Sequence, residues 1–356
     1  MSRPPALPAL TSLRFFAALI VVIYHTGAAA LEGLPAFAQR ALGIGTGFVG
    51  VNLFFALSGF ILAYVYLNGR PVDRPRFWQA RVARIYPLYL LGLVVAMPFY
   101  VLDVMQGEFS PLPAILAPLL LQSWFSGLEM QWNGPGWSLS VEAFFYAVFP
   151  FLALWLARVS GRAALWGMLG AWLLALLPST LWQLSMDPAD VPANWMLFNP
   201  LVHLPTFLMG AFGAQVYRDY SLPRAGMWAG LASAAVLGIL ATGAAPHLVL
   251  HNGLLLPLFM LLIVSLANVR SGALHHPRLQ LLGEASYSLY LLHFPLWGWL
   301  QAGAGLIGVD VLRGPAYVLA LLFLVGVSIA AFRLIEVPAR RWISSRFLAA
   351  RAQPVS

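Results

Sequence analysis

The chain has 356 residues, of which 61% are hydrophobic and 9% are charged, whereas soluble domains carry about 25% charged residues. Its mean hydropathy of +0.81 and net charge of +8 exclude an ordinary soluble domain and indicate an integral membrane protein. All twenty basic residues are arginine and cysteine is absent. Lysine Schiff bases, disulfides and thiolate catalysis or metal sites are therefore excluded.

Successive apolar runs of about 20 residues predict an all-α fold, a polytopic membrane helix bundle. Ten spans are predicted, at residues 12–31, 47–66, 85–103, 137–157, 164–183, 199–217, 226–243, 248–268, 282–302 and 315–335. The stretch 112–125 contains two prolines, and we expect a re-entrant or interfacial helix there. We expect one membrane domain over 1–346 and a short cytoplasmic tail over 347–356, without a soluble C-terminal domain.

The arginines predict the orientation of the bundle. With both termini cytoplasmic, every arginine except Arg40 and Arg313 lies on the cytoplasmic side, as the positive-inside bias requires. Acidic residues lean outward, namely Glu32, Asp103, Glu108, Glu129, Asp187, Asp190 and Asp310. The positive charge therefore indicates contact with anionic membrane lipids and not with nucleic acid. A cleaved signal peptide ending near Ala30 is the alternative interpretation of the N-terminus, but a central His25 is unusual in such a segment.

The first span contains two ionisable residues, Arg14 and His25, eleven positions apart. On a helix this separation is a rise of about 16 Å and three turns, so both side chains lie on one face. Ionisable groups inside a membrane are costly and are by default candidates for function.

The second span and the start of the third also contain polar or ionisable residues that are candidates for function. Asn52 and Ser58 are the polar members of the second span, where helix–helix hydrogen bonding is the simpler explanation. Five arginines follow it, namely Arg70, Arg74, Arg76, Arg81 and Arg84. Arg81 and Arg84 share a face where the third span begins, and guanidinium groups suit phosphate oxygens. We therefore expect a nucleotide-bearing substrate on the cytoplasmic side.

The fourth span contains a buried carboxylate, Glu142. Ser138, Glu142 and Tyr146 recur at i, i+4 and i+8, on one helical face. By helical rise, Glu142 lies about 9 Å below the outer boundary, at a depth similar to that of His25. A structural carboxylate is one interpretation; a catalytic or orienting pair with His25 is the one we favour.

Two later spans contain histidines. For His203, between Asn199 and Thr206, packing is the better interpretation. In the ninth span Ser286, Tyr290, His293 and Trp297 form a stripe too polar for lipid, and function and packing are equally supported for His293. The spacing of the three span histidines matches no metal-ligand signature, so no metal is expected.

These segments together resemble the acyltransferase-3 family, the bacterial membrane O-acyltransferases of surface polysaccharides and exopolysaccharides. The matching pieces run in order along the chain: Arg14-x10-His25, GVNLFFALSGFIL, RVARIYP, WSLSVEAFFY, SYSLYLLHFPL and LIEVPARRW. The resemblance implies a multi-pass protein of the bacterial inner membrane and an acyl-CoA donor, usually acetyl-CoA. It gives His25 the position of the catalytic histidine, and Arg14, Arg81 and Arg84 positions linked to the donor.

The working hypothesis is O-acetyl transfer from cytoplasmic acetyl-CoA to a sugar hydroxyl. His25 is the candidate general base or acyl carrier, with Glu142 beside it, and Arg76 is a further candidate for the donor phosphates. Asn52, Ser58, Tyr290 and His293 are candidates for binding substrate or polarising the thioester oxygen. The acceptor is a carbohydrate, free or lipid-linked, and polysaccharide-synthesis machinery is an expected partner. A macrolide or lipid acceptor and a proton-coupled transporter or flippase are the alternatives.

Overall fold

The computed structural model describes residues 4–67, 71–185 and 193–352, and over these ranges it contains helices and no strand. The long helices are α1 (Pro8–Thr26), α2 (Val49–Tyr66), α3 (Arg74–Met105), α4 (Trp137–Leu156), α5 (Gly161–Ser185), α6 (Pro200–Asp219), α7 (Ala225–Thr242), α8 (Leu256–Asn268), α9 (Ser286–Leu306), α10 (Gly314–Ala331) and α11 (Val337–Ala352). Short helices lie at Ala28–Leu31, Ala36–Ala41, Pro113–Leu116, Ala193–Phe198, His247–His251 and Pro277–Glu284. Gln122–Trp124, Gly134–Gly136 and Ala273–His275 are 3₁₀ turns, and Phe332–Glu336 is a π-helical turn.

The predicted all-α polytopic bundle is confirmed. A helix occupies each of the ten predicted spans, and among the described residues nine helical segments are long and apolar enough to cross a membrane. The segment outside these nine is α9, a 21-residue helix. Its first two turns contain the polar residues Ser286, Ser288, Tyr290 and His293, which lower the mean hydropathy of the helix. All four are buried against protein and do not face lipid.

Two helices that build the site start earlier than predicted. α1 begins at Pro8, because proline suits the first position of a helix, and it ends at Gly27. His25 therefore lies in the last turn of α1 and not deep within it. α3 begins at Arg74, where the Asp73 side chain accepts a hydrogen bond from the backbone N–H of Arg76 (3.2 Å).

Helices α2 and α6 pack backbone against backbone through two glycines. A Cβ atom on Gly59 of α2 would collide with the carbonyl oxygen of Phe207, and one on Gly210 of α6 with that of Ala56. Small residues at such positions let helices approach closely in membranes. This contact fixes α2, which contains Ser58, in the centre of the bundle.

The segment 106–136 between α3 and α4 is not an eleventh span. Its backbone carbonyls turn inward: Tyr86 and Tyr89 of α3 donate hydrogen bonds to Pro118 (2.7 Å) and Ala117 (2.8 Å), and Ser140 of α4 donates one to Leu120 (2.6 Å). Non-helical backbone inside a membrane protein needs such partners. The segment covers the start of α4, where Trp137 is buried.

The two arginines predicted on the outer side both have partners. Arg313 forms an ion pair with Glu32 (2.9 Å), and Arg40 donates through Nε to the Ala241 carbonyl at the end of α7 (2.9 Å). Several residues used for the orientation lie outside the described residues, namely Arg3, Arg70, Asp187 and Asp190. So do residues 353–356 of the predicted tail, whereas helix α11 extends to Ala352.

Candidate active site

A cavity of about 390 Å³ lies between α1, α2, α3, α4 and α9. It is bordered by residues 4–7 before α1 and by Tyr64 and Val65 at the end of α2, so it opens at the end of the bundle that carries the N-terminus. The predicted site residues that line it are Arg14, Ser58, Arg81, Arg84, Glu142 and Tyr290. Residues more than 270 positions apart in the chain are thus brought together around one cavity.

Three guanidinium groups of the cavity form no close ion pair. Arg14 of α1 and Arg81 and Arg84 of α3 line its wall, yet the ion pair within 4.0 Å in the described part of the chain is the exposed pair Arg313–Glu32. The carboxylates of Glu142 and buried Glu336 interact with this group only at longer range. The Nε atom of Arg81 is buried without a hydrogen-bond partner, and guanidinium groups with free donors favour an anionic ligand with oxygen acceptors.

Arg81 is held by aromatic side chains. Its guanidinium carbon lies 5.7 Å from the ring centroid of Phe77 and 5.7 Å from that of Tyr146. Cation–π contacts orient a guanidinium group without consuming its N–H donors. The donors of Arg81 remain free to bind a ligand.

Arg76 does not join this group, so the structure does not support its prediction as a donor-binding residue. Its side chain is exposed in the first turn of α3 and does not line the cavity. Because α3 begins at Arg74, Arg81 lies about 7.5 Å further along the helix axis than Arg76. The cavity reaches Arg81 and Arg84 and stops short of Arg76.

Glu142 lies in the cavity wall but not beside His25, so the predicted pairing of these two residues is wrong. Its Oε1 accepts hydrogen bonds from Ser58 of α2 (3.1 Å) and from the hydroxyl of Tyr146, one turn later on α4. The carboxylate interacts electrostatically with Arg14. Similar positions along two helices did not bring the side chains together, because Glu142 contacts α2 and its own helix α4, whereas His25 contacts α9.

Tyrosine and serine hydroxyls form the deep end of the cavity. The oxygens of Tyr290 and Ser138 are hydrogen-bonded to each other (2.7 Å), and the Pro135 carbonyl lies 3.2 Å from the Tyr290 hydroxyl and 3.0 Å from that of Ser138. Because each hydroxyl has one hydrogen, one of the two donates to Pro135 and the other donates to its neighbour. Tyr287 also lines the cavity and donates to the Ile85 carbonyl of α3 (2.7 Å). Sequence reasoning missed Tyr287, although its spacing of three from Tyr290 is a helical-face signal.

The two histidines of α1 and α9 face each other beyond this end of the cavity. His25 Nδ1 and His293 Nε2 are 3.0 Å apart, and His293 Nδ1 is 2.7 Å from the carbonyl oxygen of Tyr290. His293 is fully buried, whereas His25 is half-buried against the rings of Tyr24 and Phe294. Since Tyr290 lines the cavity and its carbonyl binds His293, the histidine pair lies about one helical turn from the cavity.

Comparison with known proteins identifies the family. The family model described as "Acyltransferase domain", that of the acyltransferase-3 family, matches residues 7–333. The chain belongs to the acyltransferase-3 family. It is 32% identical to acyltransferase MdmB of Streptomyces mycarofaciens over 317 residues, which cover 82% of this chain and 79% of MdmB.

Other members of the acyltransferase-3 family are more distant. The chain is 24% identical to O-acetyltransferase OatA of Staphylococcus aureus over 377 residues, covering 96% of this chain and 58% of OatA. It is 28% identical to the putative peptidoglycan O-acetyltransferase YrhL of Bacillus subtilis over 208 residues, 52% of this chain and 30% of YrhL. The chain therefore spans little more than half the length of OatA. No solved structure matches it.

Two polar residues of this membrane acyltransferase lie away from the cavity. The amide of Asn52 donates to the His251 carbonyl and does not line the cavity, so the structure does not support its prediction as a substrate-binding group. His203 is 1% exposed and is hydrogen-bonded through Nε2 to the Leu197 carbonyl (2.7 Å). It packs against Phe55 and Trp137, as expected for a packing histidine.

The histidines of this acyltransferase form two separate groups. His25 faces His293, whereas His203 packs near His251, with ring centroids 5.6 Å apart. Within the described ranges, no cluster of three or more histidine, cysteine, aspartate or glutamate side chains has an arrangement suited to a metal ion. The contact between His25 and His293 places two imidazoles where acid–base chemistry can occur.

Proposed function

We propose that this protein is an O-acetyltransferase of the bacterial inner membrane that uses cytoplasmic acetyl-CoA. The acceptor in this proposal is a hydroxyl group of a surface or exopolysaccharide sugar or of its lipid-linked precursor. The observation that carries the proposal is the cavity itself: it is lined by three guanidinium groups that form no ion pair within 4.0 Å among the described residues, and its deep end lies about one helical turn from a histidine pair.

The arginines suit the nucleotide end of the donor. The phosphates of coenzyme A present the oxygen acceptors that Arg81, Arg84 and Arg14 lack among the described residues. Arg14 and His25 are separated by about 16 Å of helical rise, a length comparable to an extended pantetheine arm. A donor bound in this way brings its thioester toward Tyr290 and the histidine pair.

His25 is the residue with the right chemistry for proton transfer. An imidazole nitrogen with a lone pair can take the proton of an attacking hydroxyl and later release it. The half-buried ring gives an acceptor access to His25 without exposing the buried His293. Tyr290 and Ser58 are the candidates in the cavity for polarising the thioester oxygen, a part that takes the hydrogen that Ser58 donates to Glu142 and the one that Tyr290 uses with Ser138 or Pro135.

The sugar hydroxyl as acceptor rests on the family's relatives, two of which are named as O-acetyltransferases. A covalent acetyl-histidine at His25, followed by attack of the acceptor, is the alternative route to the same ester. Rapid acid quench of the purified enzyme with radiolabelled acetyl-CoA distinguishes the two routes, because an acyl-enzyme retains label on the protein.

The experiment that tests the proposal has two arms. The purified protein in lipid nanodiscs is given radiolabelled acetyl-CoA, and release of free CoA is measured with and without a sugar acceptor. In parallel, surface glycans and lipids of cells with and without the gene are compared by mass spectrometry. We expect CoA release and glycans heavier by an acetyl group. The proposal is contradicted, and the transporter alternative supported, if two results occur together. The purified protein releases no CoA, and the glycans and lipids are the same in cells with and without the gene.

A further inference from the structure

The hydrogen bonds of the histidine pair determine which nitrogen carries each hydrogen. The carbonyl oxygen of Tyr290 can only accept, so His293 Nδ1, 2.7 Å away, must carry a hydrogen. In neutral His293 the other ring nitrogen, Nε2, then has a free lone pair. This lone pair points at His25 Nδ1, 3.0 Å away.

The contact with His293 also determines which nitrogen of His25 carries the hydrogen. Because His293 Nε2 is an acceptor, His25 Nδ1 must donate to it and carries a hydrogen. Neutral His25 therefore has its lone pair on Nε2, the ring nitrogen that does not contact His293.

We propose that His293 is the positioning residue of His25: it fixes the His25 tautomer that leaves Nε2 available as the base. This inference rests on the proposed function. Aspartate has this part in the serine protease triad, where the wrong tautomer of the histidine costs about 10⁴-fold in rate. In this protein neutral His293 takes the place of that aspartate, and its own ring is oriented by the backbone carbonyl of Tyr290 in α9.

In the transfer step His25 takes one proton from the acceptor hydroxyl and returns one proton to the leaving sulfur. As the acceptor oxygen attacks the carbonyl carbon of the thioester, its proton passes to His25 Nε2. The C–S bond then breaks, and the proton passes from Nε2 to the departing sulfur, giving the acetyl ester and CoA thiol. While His25 is an imidazolium, its Nδ1–H donates to the lone pair of His293 and is stabilised by it.

The surroundings favour His293 for this part over any carboxylate. The other titratable side chains that contact the pair are Tyr24 beside His25 and Tyr290 beside His293, and neither is a carboxylate. Glu142 is already hydrogen-bonded to Ser58 and Tyr146. A neutral acceptor also avoids burying a charge, which a fully enclosed site penalises strongly.

The test combines kinetics with a direct measurement of the tautomer. His293→Leu removes the acceptor, and His293→Gln offers an amide oxygen near the position of Nε2. His203→Leu is the matched control, since His203 is equally buried and also hydrogen-bonded to a backbone carbonyl. We expect kcat of His293→Leu to fall by about 100-fold or more with less than a twofold change in the KM for acetyl-CoA. His293→Gln should recover part of the loss, and the control should keep wild-type kcat per folded molecule.

Nitrogen-15 NMR of histidine-labelled protein, with His25 assigned by its loss in His25→Ala, reports the tautomer directly. We expect the Nδ1–H form in the wild type and its loss in His293→Leu. A wild-type Nε2–H form, or full activity and an unchanged pH–rate profile in folded His293→Leu, overturns the inference. If His25→Ala transfers no acetyl group while His293→Leu does, His25 remains the base and the part given to His293 alone is wrong; if the wild-type protein itself transfers no acetyl group from acetyl-CoA, the proposed function fails.

Discussion

Tyr146 donates a hydrogen bond to the carboxylate of Glu142 one turn earlier on α4, and Ser58 of α2 donates a second. The carboxylate thus ties α2 to α4 at the wall of the arginine-lined cavity. Its charge lies near Arg14 and offsets part of the positive charge of that wall. Glu142 therefore supports the site that binds the donor, and His25 obtains its hydrogen-bond partner from α9.

Glu142→Gln should leave the pH–rate profile of acetyl transfer unchanged, because Glu142 does not contact His25. The substitution removes a charged acceptor of two hydrogen bonds, so the free energy of unfolding should fall by about 1–3 kcal/mol. Thermal unfolding in detergent, measured beside the pH–rate profile, checks both statements. A shift in the acidic limb of that profile would show that the Glu142 charge does act on His25.

Arg81→Ala and Arg84→Ala should weaken acetyl-CoA binding far more than binding of acetyl-pantetheine, which lacks the nucleotide. A charge-assisted contact to phosphate contributes about 1.5–3 kcal/mol, or roughly ten- to a hundredfold in affinity. Isothermal titration with both donors measures the difference. Arg76→Ala is the matched control from the same helix, since Arg76 lies outside the cavity. A phosphate site would be contradicted if the two variants lost affinity equally for acetyl-CoA and acetyl-pantetheine. It would also be contradicted if Arg76→Ala bound acetyl-CoA as weakly as the two variants do.

Gly210→Ala should destabilise the bundle where α2 and α6 touch. A Cβ atom there collides with the carbonyl oxygen of Ala56, and overpacking of this kind costs about 1–3 kcal/mol. Gly238→Ala in α7 is the control, because a Cβ atom at Gly238 meets no atom within 4 Å. The melting temperature should fall for Gly210→Ala and stay constant or rise slightly for the control. Equal melting temperatures would mean that α2 and α6 are further apart.

Sequence periodicity places residues on helical faces, and this was sufficient for much of the site. Apolar runs located the helices, and the i, i+4 spacing placed Glu142 beside Tyr146 on one face. The spacing of Arg81 and Arg84 likewise predicted two guanidinium groups on one side of α3, where both line the cavity.

Periodicity within one helix does not say which helices face each other, and this limited the prediction of the catalytic pair. His25 and His293 are separated by 268 positions, and their contact depends on the packing of α1 against α9. The pairing of Glu142 with His25 was predicted wrongly for the same reason, because Glu142 contacts α2 and His25 contacts α9. Arg76 was included because the sequence does not show where the cavity ends.

The central claim is that His25 is the base for transfer from a donor held by the arginines. Its most direct test is the rate of acetyl transfer from acetyl-CoA by purified His25→Ala, measured together with CoA affinity. The account predicts wild-type CoA affinity, because His25 does not line the cavity, and loss of transfer by at least about 100-fold. Transfer at the wild-type rate by folded His25→Ala would contradict it.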